Sequence, residues 1–369
     1  MRRSLIILIS VVVLITFASP IVIISANPQL ASDIADNIVR PLIGDTAVIY
    51  FEKIFFNTSD TIKRITYHGT LPISAISQRD VSDINNTNTR LNLTPLPTPA
   101  NMPTLEGEGI WKKVILNQFP NEEPVATTFI RPDSDRPYAL VTIIQMDMQQ
   151  LSLGIVAGIK EPGGSFGHPG TGRIPQNTIQ SDNVIGAFDG GFLYNDGQYG
   201  MIADGITYAP LKQNTATLIA RTTGELDIIN YTGQDLGQNI SFVRQNCPIL
   251  IENGNLAVTD PKNKAQWGRT LTSQTYTWRS GIGITSTGNL LYTGGNNLTP
   301  ATLAYALKTA GAVNAMQLDI NPAWVSFNFF TKDPTTRTLT SIPFMKDAHD
   351  RSKQYIHGHS KDFFYLYKK

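Results

Sequence analysis

A chain of 369 residues has room for one large domain, or two ordinary ones, around a real hydrophobic core. Its 30 Lys and Arg against 29 Asp and Glu leave a net charge of +1, which argues against nucleic acid as a partner. A single cysteine, Cys247, excludes an internal disulfide and a cysteine-based zinc site. Beside Pro248 it reads as a small buried side chain.

The chain opens Met1-Arg2-Arg3-Ser4, and Leu5 to Ile24 is almost wholly apolar. Some twenty residues at a rise of about 1.5 Å span a hydrocarbon core of about 30 Å. Arg2 and Arg3, with no basic cluster after Ile24, put the N-terminus inside and the remainder outside. Residues 1–26 therefore read as a transmembrane anchor, with a signal peptide cleaved after Ile24-Ser25-Ala26 as the alternative. Either way, the expected location of the rest is extracytoplasmic.

Residues 27–67 read as a helical juxtamembrane stalk. Leu30, Ile34, Ile38 and Val39 form one stripe that breaks at Arg40-Pro41; Val48, Phe51, Ile54 and Phe55 form a second, with Asp45 as its cap. Residues 68–104 are rich in Pro, Asn and Thr, and Asn92 to Pro99 reads as an extended spacer. From Leu105 to the end, short apolar runs alternate with Gly, Asn and Asp. Strands are predicted over 125–130, 138–146, 151–159, 184–188, 217–220, 226–229, 249–251 and 283–285, with hairpin-type turns at Asn195-Asp196-Gly197, Asp204-Gly205 and Asn253-Gly254-Asn255. One helix stands out. Thr299 caps it, Pro300 suits its first turn, Leu303, Ala306, Leu307 and Ala310 form its apolar stripe, and Gly311 ends it. The run after it is a buried strand that delivers Asp319. The fold class is α+β, dominated by sheet.

Several motifs carry candidate chemistry. Gly163-Gly164-Ser165-Phe166-Gly167 fits a nucleophile elbow in letters only, because Pro162 precedes it and His168-Pro169-Gly170 cannot continue as a helix. A loop, or a glycine-rich anion cradle, is the better reading. His357-Gly358-His359 lacks further clustered ligands for a metal, and a C-terminus that packs Phe363, Phe364 and Tyr365 accounts for it better. Phe188-Asp189-Gly190-Gly191-Phe192 places an acid at a strand end, where two glycines permit a sharp turn or a close ligand; an aspartate capping its own turn is the alternative. Arg244 and Asn246 precede an apolar strand and read as ligand contacts or as surface solvation. Arg279, between Trp278 and Ser280-Gly281, is suited to grip a phosphate with paired hydrogen bonds.

In order, Asp189-Gly190-Gly191-Phe192, Arg279-Ser280-Gly281-Ile282-Gly283 and the Leu298-Thr299 helix leading to Leu318-Asp319 resemble the phosphodiester glycosidase family, which includes the lysosomal uncovering enzyme, a phosphodiester alpha-N-acetylglucosaminidase. The resemblance covers roughly Val184 to Phe330 and implies a hydrolase that cleaves a sugar–phosphate bond, with bacterial members secreted or membrane-anchored and associated with exopolysaccharide. It implies that Arg279 matches the family's arginine, that Asp319 matches the aspartate of its Leu-Asp-Gly-Gly-Gly-Ser motif, and that Asp189 stands where many members have asparagine. Ile320-Asn321-Pro322-Ala323-Trp324 replaces the glycines and serine and reshapes that loop. On this reading Asp189 and Asp319 are the carboxylate pair and Arg279 the catalytic arginine. Substrate contacts come from Arg244, Asn246, Asn321, Trp324, Gly190 and Gly191, with no cofactor or metal. The partners are a glycan or glycosyl-phosphate substrate and the membrane. A non-catalytic glycan-binding or exopolysaccharide-assembly protein on the same fold is the second reading.

Overall fold

The computed structural model describes residues 60–61, 63–64, 67, 78–80, 90–268, 276–322, 324–332, 335–336, 339–345, 348 and 350–369. The chain divides into two compact units, Met1–Ile62 with Arg269–Gln274, and Lys63–Gly268 with Thr275–Lys369. The second carries every element that follows. The expected anchor and most of the expected stalk lie outside the described residues. Among the described residues, no helix is long and apolar enough to cross a membrane.

The fold is sheet-rich with few helices, as the alternating short apolar runs predict. Among the described residues, three antiparallel sheets account for the strands. The largest has nine, in the order Gln78–Asp80, Lys112–Val114, Val125–Ile130, Val141–Met146, Leu290–Leu298, Thr277–Thr285, Ala312–Ile320, Ile249–Glu252 and Asn255–Leu256. A second orders Leu226–Tyr231, Thr215–Arg221, Ile240–Asn246, Met201–Ala203 and Ile206–Ala209. The third orders Leu339–Pro343, Phe327–Lys332, Val184–Asp189, Phe363–Lys368 and Leu151–Val156.

The predicted helix forms over Pro300–Thr309. Thr299 accepts from the Thr302 amide while the Thr302 hydroxyl accepts from the Thr299 amide, so two amides that have no partner within the helix are satisfied at once. Leu303, Ala306, Leu307 and Ala310 are buried as the stripe requires, and Gly311 takes φ 96°, which ends the helix at little cost. Asp204-Gly205 and Asn253-Gly254 turn their hairpins with positive φ at both residues. Asn195-Asp196-Gly197 does not form a hairpin. It lies in a short helix, Tyr194–Gly197, closed by left-handed Gln198, between strands that belong to two different sheets.

Residues 90–99 have neither helix nor strand, yet they are fixed in place. The Asn92 amide donates to Gln145 Oε1, Gln145 Nε2 returns a bond to the Asn92 carbonyl, and the Trp111 indole donates to the Thr94 carbonyl. Proline-rich composition sets the extended backbone, and buried polar side chains of the sheet decide where it lies.

Candidate active site

Two strand ends build the site. Val184–Asp189 lies between Phe327–Lys332 and Phe363–Lys368, with Phe188 opposite both Phe327 and Phe364. The Phe188 ring stacks on those two rings at 5.4 and 5.2 Å and meets Tyr292 at 5.2 Å. Aromatic packing of this kind pins the strand at the residue before the acid. Because side chains alternate across a strand, Asp189 leaves that cluster for the other face. Antiparallel register brings the two neighbouring strands to their starting points here, so Ser326 arrives beside Asp189 and Asp362 beside Gly190.

The two glycines now have a physical reason. A Cβ on Gly190 would collide with the Asp362 carboxylate, and one on Gly191 would lie 2.8 Å from Arg244 Nη2. Arg244 is fully buried. Its Nε and Nη2 grip Asp362 at 2.8 and 3.0 Å, while Nη1 donates to the Gln245 carbonyl and Nη2 also to the Phe192 carbonyl. Asn246 accepts from the Phe192 amide and donates to the carbonyls of Gln317 and Leu318. These residues, expected to touch a ligand, instead hold the Gly190-Gly191 turn and tie it to the strand that carries Asp319. A bidentate pair removed from water has no guanidinium edge left for a phosphate.

Asp319 lies at the end of Ala312–Ile320 in the nine-stranded sheet, 3% exposed, against 1% for Asp189. Its amide donates to Ser280 Oγ, and its Oδ1 accepts from the Ile320 amide. Its Oδ2 meets Lys361 Nζ in an ion pair. Burial pushes the Asp319 carboxyl up to about 6; Lys361 opposes the rise and the charge of Asp189 adds to it. Arg279 sits in the adjoining strand, 2% exposed, with Nε on the Leu298 carbonyl and Nη1 on the Trp267 carbonyl and Gln317 Oε1. Burial lowers it to about 10. Its described bonds serve the scaffold around Trp267 and Gln317.

The residues that contact the two acids come from farther along the chain. Tyr355, on the helix Ser352–His357, donates to Asp189 Oδ1 at 2.9 Å, and Ser326 donates to Oδ2 at 3.2 Å. Burial, and next the charge of Asp189, raise the Tyr355 phenol well above its ordinary range, so it remains a proton donor. Arg351 Nε approaches Asp189 Oδ2 at 3.5 Å, and His359 Nε2 approaches Oδ1 at 3.7 Å. Burial lowers His359, with Asp189 opposing. Arg351 Nη1 stands 3.3 Å from His359 Nε2, while at Nδ1 the Lys361 amide donates at 3.1 Å and the Lys361 carbonyl lies 2.8 Å away.

One short segment thus reaches both acids. His359 stands at Asp189 and Lys361, two residues on, at Asp319, so carboxylates from two different sheets converge on it. Trp324 covers the cations, its ring centre 4.3 Å from Lys361 Nζ and 4.6 Å from the Arg351 guanidinium. Its position follows from Asn321, which takes φ 76°, donates to the Trp278 carbonyl and accepts from the amides of Trp324 and Val325. The indole expected among the substrate contacts is held against two cations by that turn.

Sequence reading missed Ser326, Arg351, Tyr355 and Lys361, none of which lies in a recognisable motif. His359 was noticed with His357 as a pair, but the helix ends at His357, which is exposed, while His359 is buried. Among the described residues no group of three or more His, Cys, Asp or Glu is placed to hold a metal. The Gly163–Gly167 stretch is a loop closed on itself by a single tight turn over Gly164–Phe166; the residues just before it buttress the segment bearing Lys361, the Ile159 amide donating to the His359 carbonyl and the Lys160 and Glu161 amides to that of Ser360.

Residues 182–319 match the phosphodiester glycosidase family. The expected resemblance is borne out over that segment, which holds both acids, Arg244 and Arg279. No curated protein sequence matches the chain. Among solved structures, the catalytic domain of zebrafish N-acetylglucosamine-1-phosphodiester alpha-N-acetylglucosaminidase, auto-inhibited by its pro-peptide, is 14% identical, with 70% of this chain and 88% of that one covered and a TM-score of 0.43. A hypothetical protein from Synechocystis is 12% identical, with 73% and 65% covered and a TM-score of 0.34.

Proposed function

We propose that the protein is a hydrolase that cleaves a glycosyl phosphodiester, breaking the bond between the anomeric carbon and a phosphate oxygen. The observation that carries this reading is the meeting of Asp189 and Asp319 with Lys361 and Arg351 beneath Trp324, within and just beyond the family-matched segment. A departing phosphate is a weak base, so its first requirement is cationic stabilisation. That work, expected of Arg279 and Arg244, passes to Lys361 and Arg351. Asp319, raised to about 6, is the proton donor to the departing oxygen. Asp189, oriented by Tyr355, Ser326 and Arg351, faces the sugar as base or nucleophile. The reaction calls for no cofactor.

The substrate in this proposal is a cell-surface glycan, and the enzyme is held at the outer face of a membrane by the apolar run from Leu5 to Ile24. One observation favours the second reading, a glycan-binding protein without turnover: Asp189, Asp319 and Lys361 are all nearly withdrawn from solvent. Incubation of the full chain with an α-N-acetylglucosaminyl phosphodiester separates the two. Release of free sugar that falls by about 10²–10⁴ in Asp319→Asn and in Asp189→Asn is expected for the enzyme. Glycan binding with no release from a panel of sugar phosphodiesters would select the binding protein.

A further inference from the structure

The ion pair between Lys361 and Asp319 has a consequence for how substrate and proton enter the site. Lys361 is 1% exposed, with its ammonium between the Asp319 carboxylate and the Trp324 indole. In that position it is spent on the acid. Within the same enclosure two carboxylates, Asp189 and Asp319, face an ammonium and a guanidinium, Lys361 and Arg351, and the charges cancel. Burial lowers His359, and exposed Asp196 feels the Lys361 charge from the Tyr194–Gly197 turn. A phosphodiester adds one negative charge to this balance. A desolvated site tolerates an uncompensated charge poorly, and the smallest change that restores neutrality is one proton.

We infer that Lys361 is handed from Asp319 to the phosphate of the substrate, and that Asp319 takes a proton from solvent as the anion arrives. The hand-over rests on the phosphodiester reading above and gives it an order of events: the anion that needs an acid creates it. The balance is one anion bound, one proton taken from bulk water onto an Asp319 oxygen, and the Lys361 charge moved without change in its protonation. Deprived of the ammonium, the buried carboxyl loses the one contact that opposes its burial most strongly. Among the described residues the other titratable or charged groups near the acids have settled partners or environments. Asp189 has Tyr355 and Ser326 already donating to it, burial raises the Tyr292 and Tyr355 phenols and the Cys247 thiol, His359 Nε2 faces the Arg351 guanidinium, and Asp196 lies outside the ion pair. Asp319 is the group whose partner the anion removes.

Calorimetric titration of the full chain with dimethyl phosphate, a diester that does not titrate near neutrality, reads this directly. Repeating the titration near pH 7 in buffers of different ionisation enthalpy gives the protons taken up, expected to approach about one per anion and to shrink near pH 5. Asp319→Asn should bind the anion without uptake, while His359→Gln and Asp196→Asn keep it. Binding without uptake in the unaltered protein, or uptake that survives Asp319→Asn, overturns the hand-over and leaves the phosphodiester reading standing. Loss of uptake in His359→Gln alone also overturns it. No binding of dimethyl phosphate rejects both.

Discussion

The family-matched segment, 182–319, and the C-terminal segment from Ser326 to Asp362 divide the site between them. The first supplies the acids and holds them in rigid places, one at the end of Val184–Asp189 and one near the end of Ala312–Ile320. The second supplies nearly everything that sets their charge: Ser326, Arg351, Tyr355, His359 and Lys361. Arg244, Asn246 and Arg279, the polar residues of the matched segment that looked most like ligand contacts, are buried in its framework. The lesson is one of burial. A motif's strand-borne polar residues can be enclosed by its own carbonyls, while the side chains that contact its acids come from a segment with no motif.

Cutting the strongest tie between the regions sharpens the comparison most. Arg244 belongs to the matched segment and its partner Asp362 to the C-terminal one, and both are fully withdrawn from water. Asp362→Ala should destabilise the fold by about 3–5 kcal/mol, the usual cost of leaving one buried charge without its partner, measured by chemical denaturation. A loss under about 1 kcal/mol would mean that the segments are stable separately.

The next largest effect is a pH dependence. Asp319 has its folded-state carboxyl raised from 3.8 to about 6, so the folded protein binds the extra proton between those values. Stability should therefore fall as pH rises from about 4 to about 6, by about 3 kcal/mol at most, and stay at the lower level above. In Asp319→Asn that part of the slope should vanish. In Lys361→Met the window should extend to higher pH, since the contact that opposes the rise is gone. An unchanged window would show that the C-terminal lysine does not govern the acid.

The smallest effect concerns the matched segment alone. Thr299→Ala removes a reciprocal cap from the Pro300–Thr309 helix and should cost about 1 kcal/mol, read as a shift in the denaturation midpoint. Turnover at saturating substrate should be unchanged, because the helix touches neither acid. A drop in turnover would make that helix part of the active site.

Much of the frame was readable because local chemistry dictates it. Thr299, Pro300 and Gly311 mark the helix, and positive φ at Asp204-Gly205 and Asn253-Gly254 is what those residue pairs favour. The Val125–Ile130 strand falls where a short run of apolar and β-branched residues places it. The places of Asp189 and Asp319 at strand ends were legible from the turn glycines and from the apolar run that leads to Asp319. The cations were not. Arg351 and Lys361 sit among ordinary polar residues, and only the antiparallel return of Phe327–Lys332 and Phe363–Lys368 on either side of Asp189 brings their segments to it. The surroundings of Arg244 and Arg279 were hidden for the matching reason: a sequence shows that an arginine is present but not which carbonyls and carboxylates enclose it.

The central claim is that Asp319 and Lys361 act as one unit. A double-mutant cycle on hydrolysis of a glycosyl phosphodiester, comparing kcat/KM for Asp319→Asn, Lys361→Met and the double variant, tests it directly. The double variant is expected within about tenfold of the worse single one, because either change already breaks the unit. Losses that multiply would show the two residues acting independently and would contradict it.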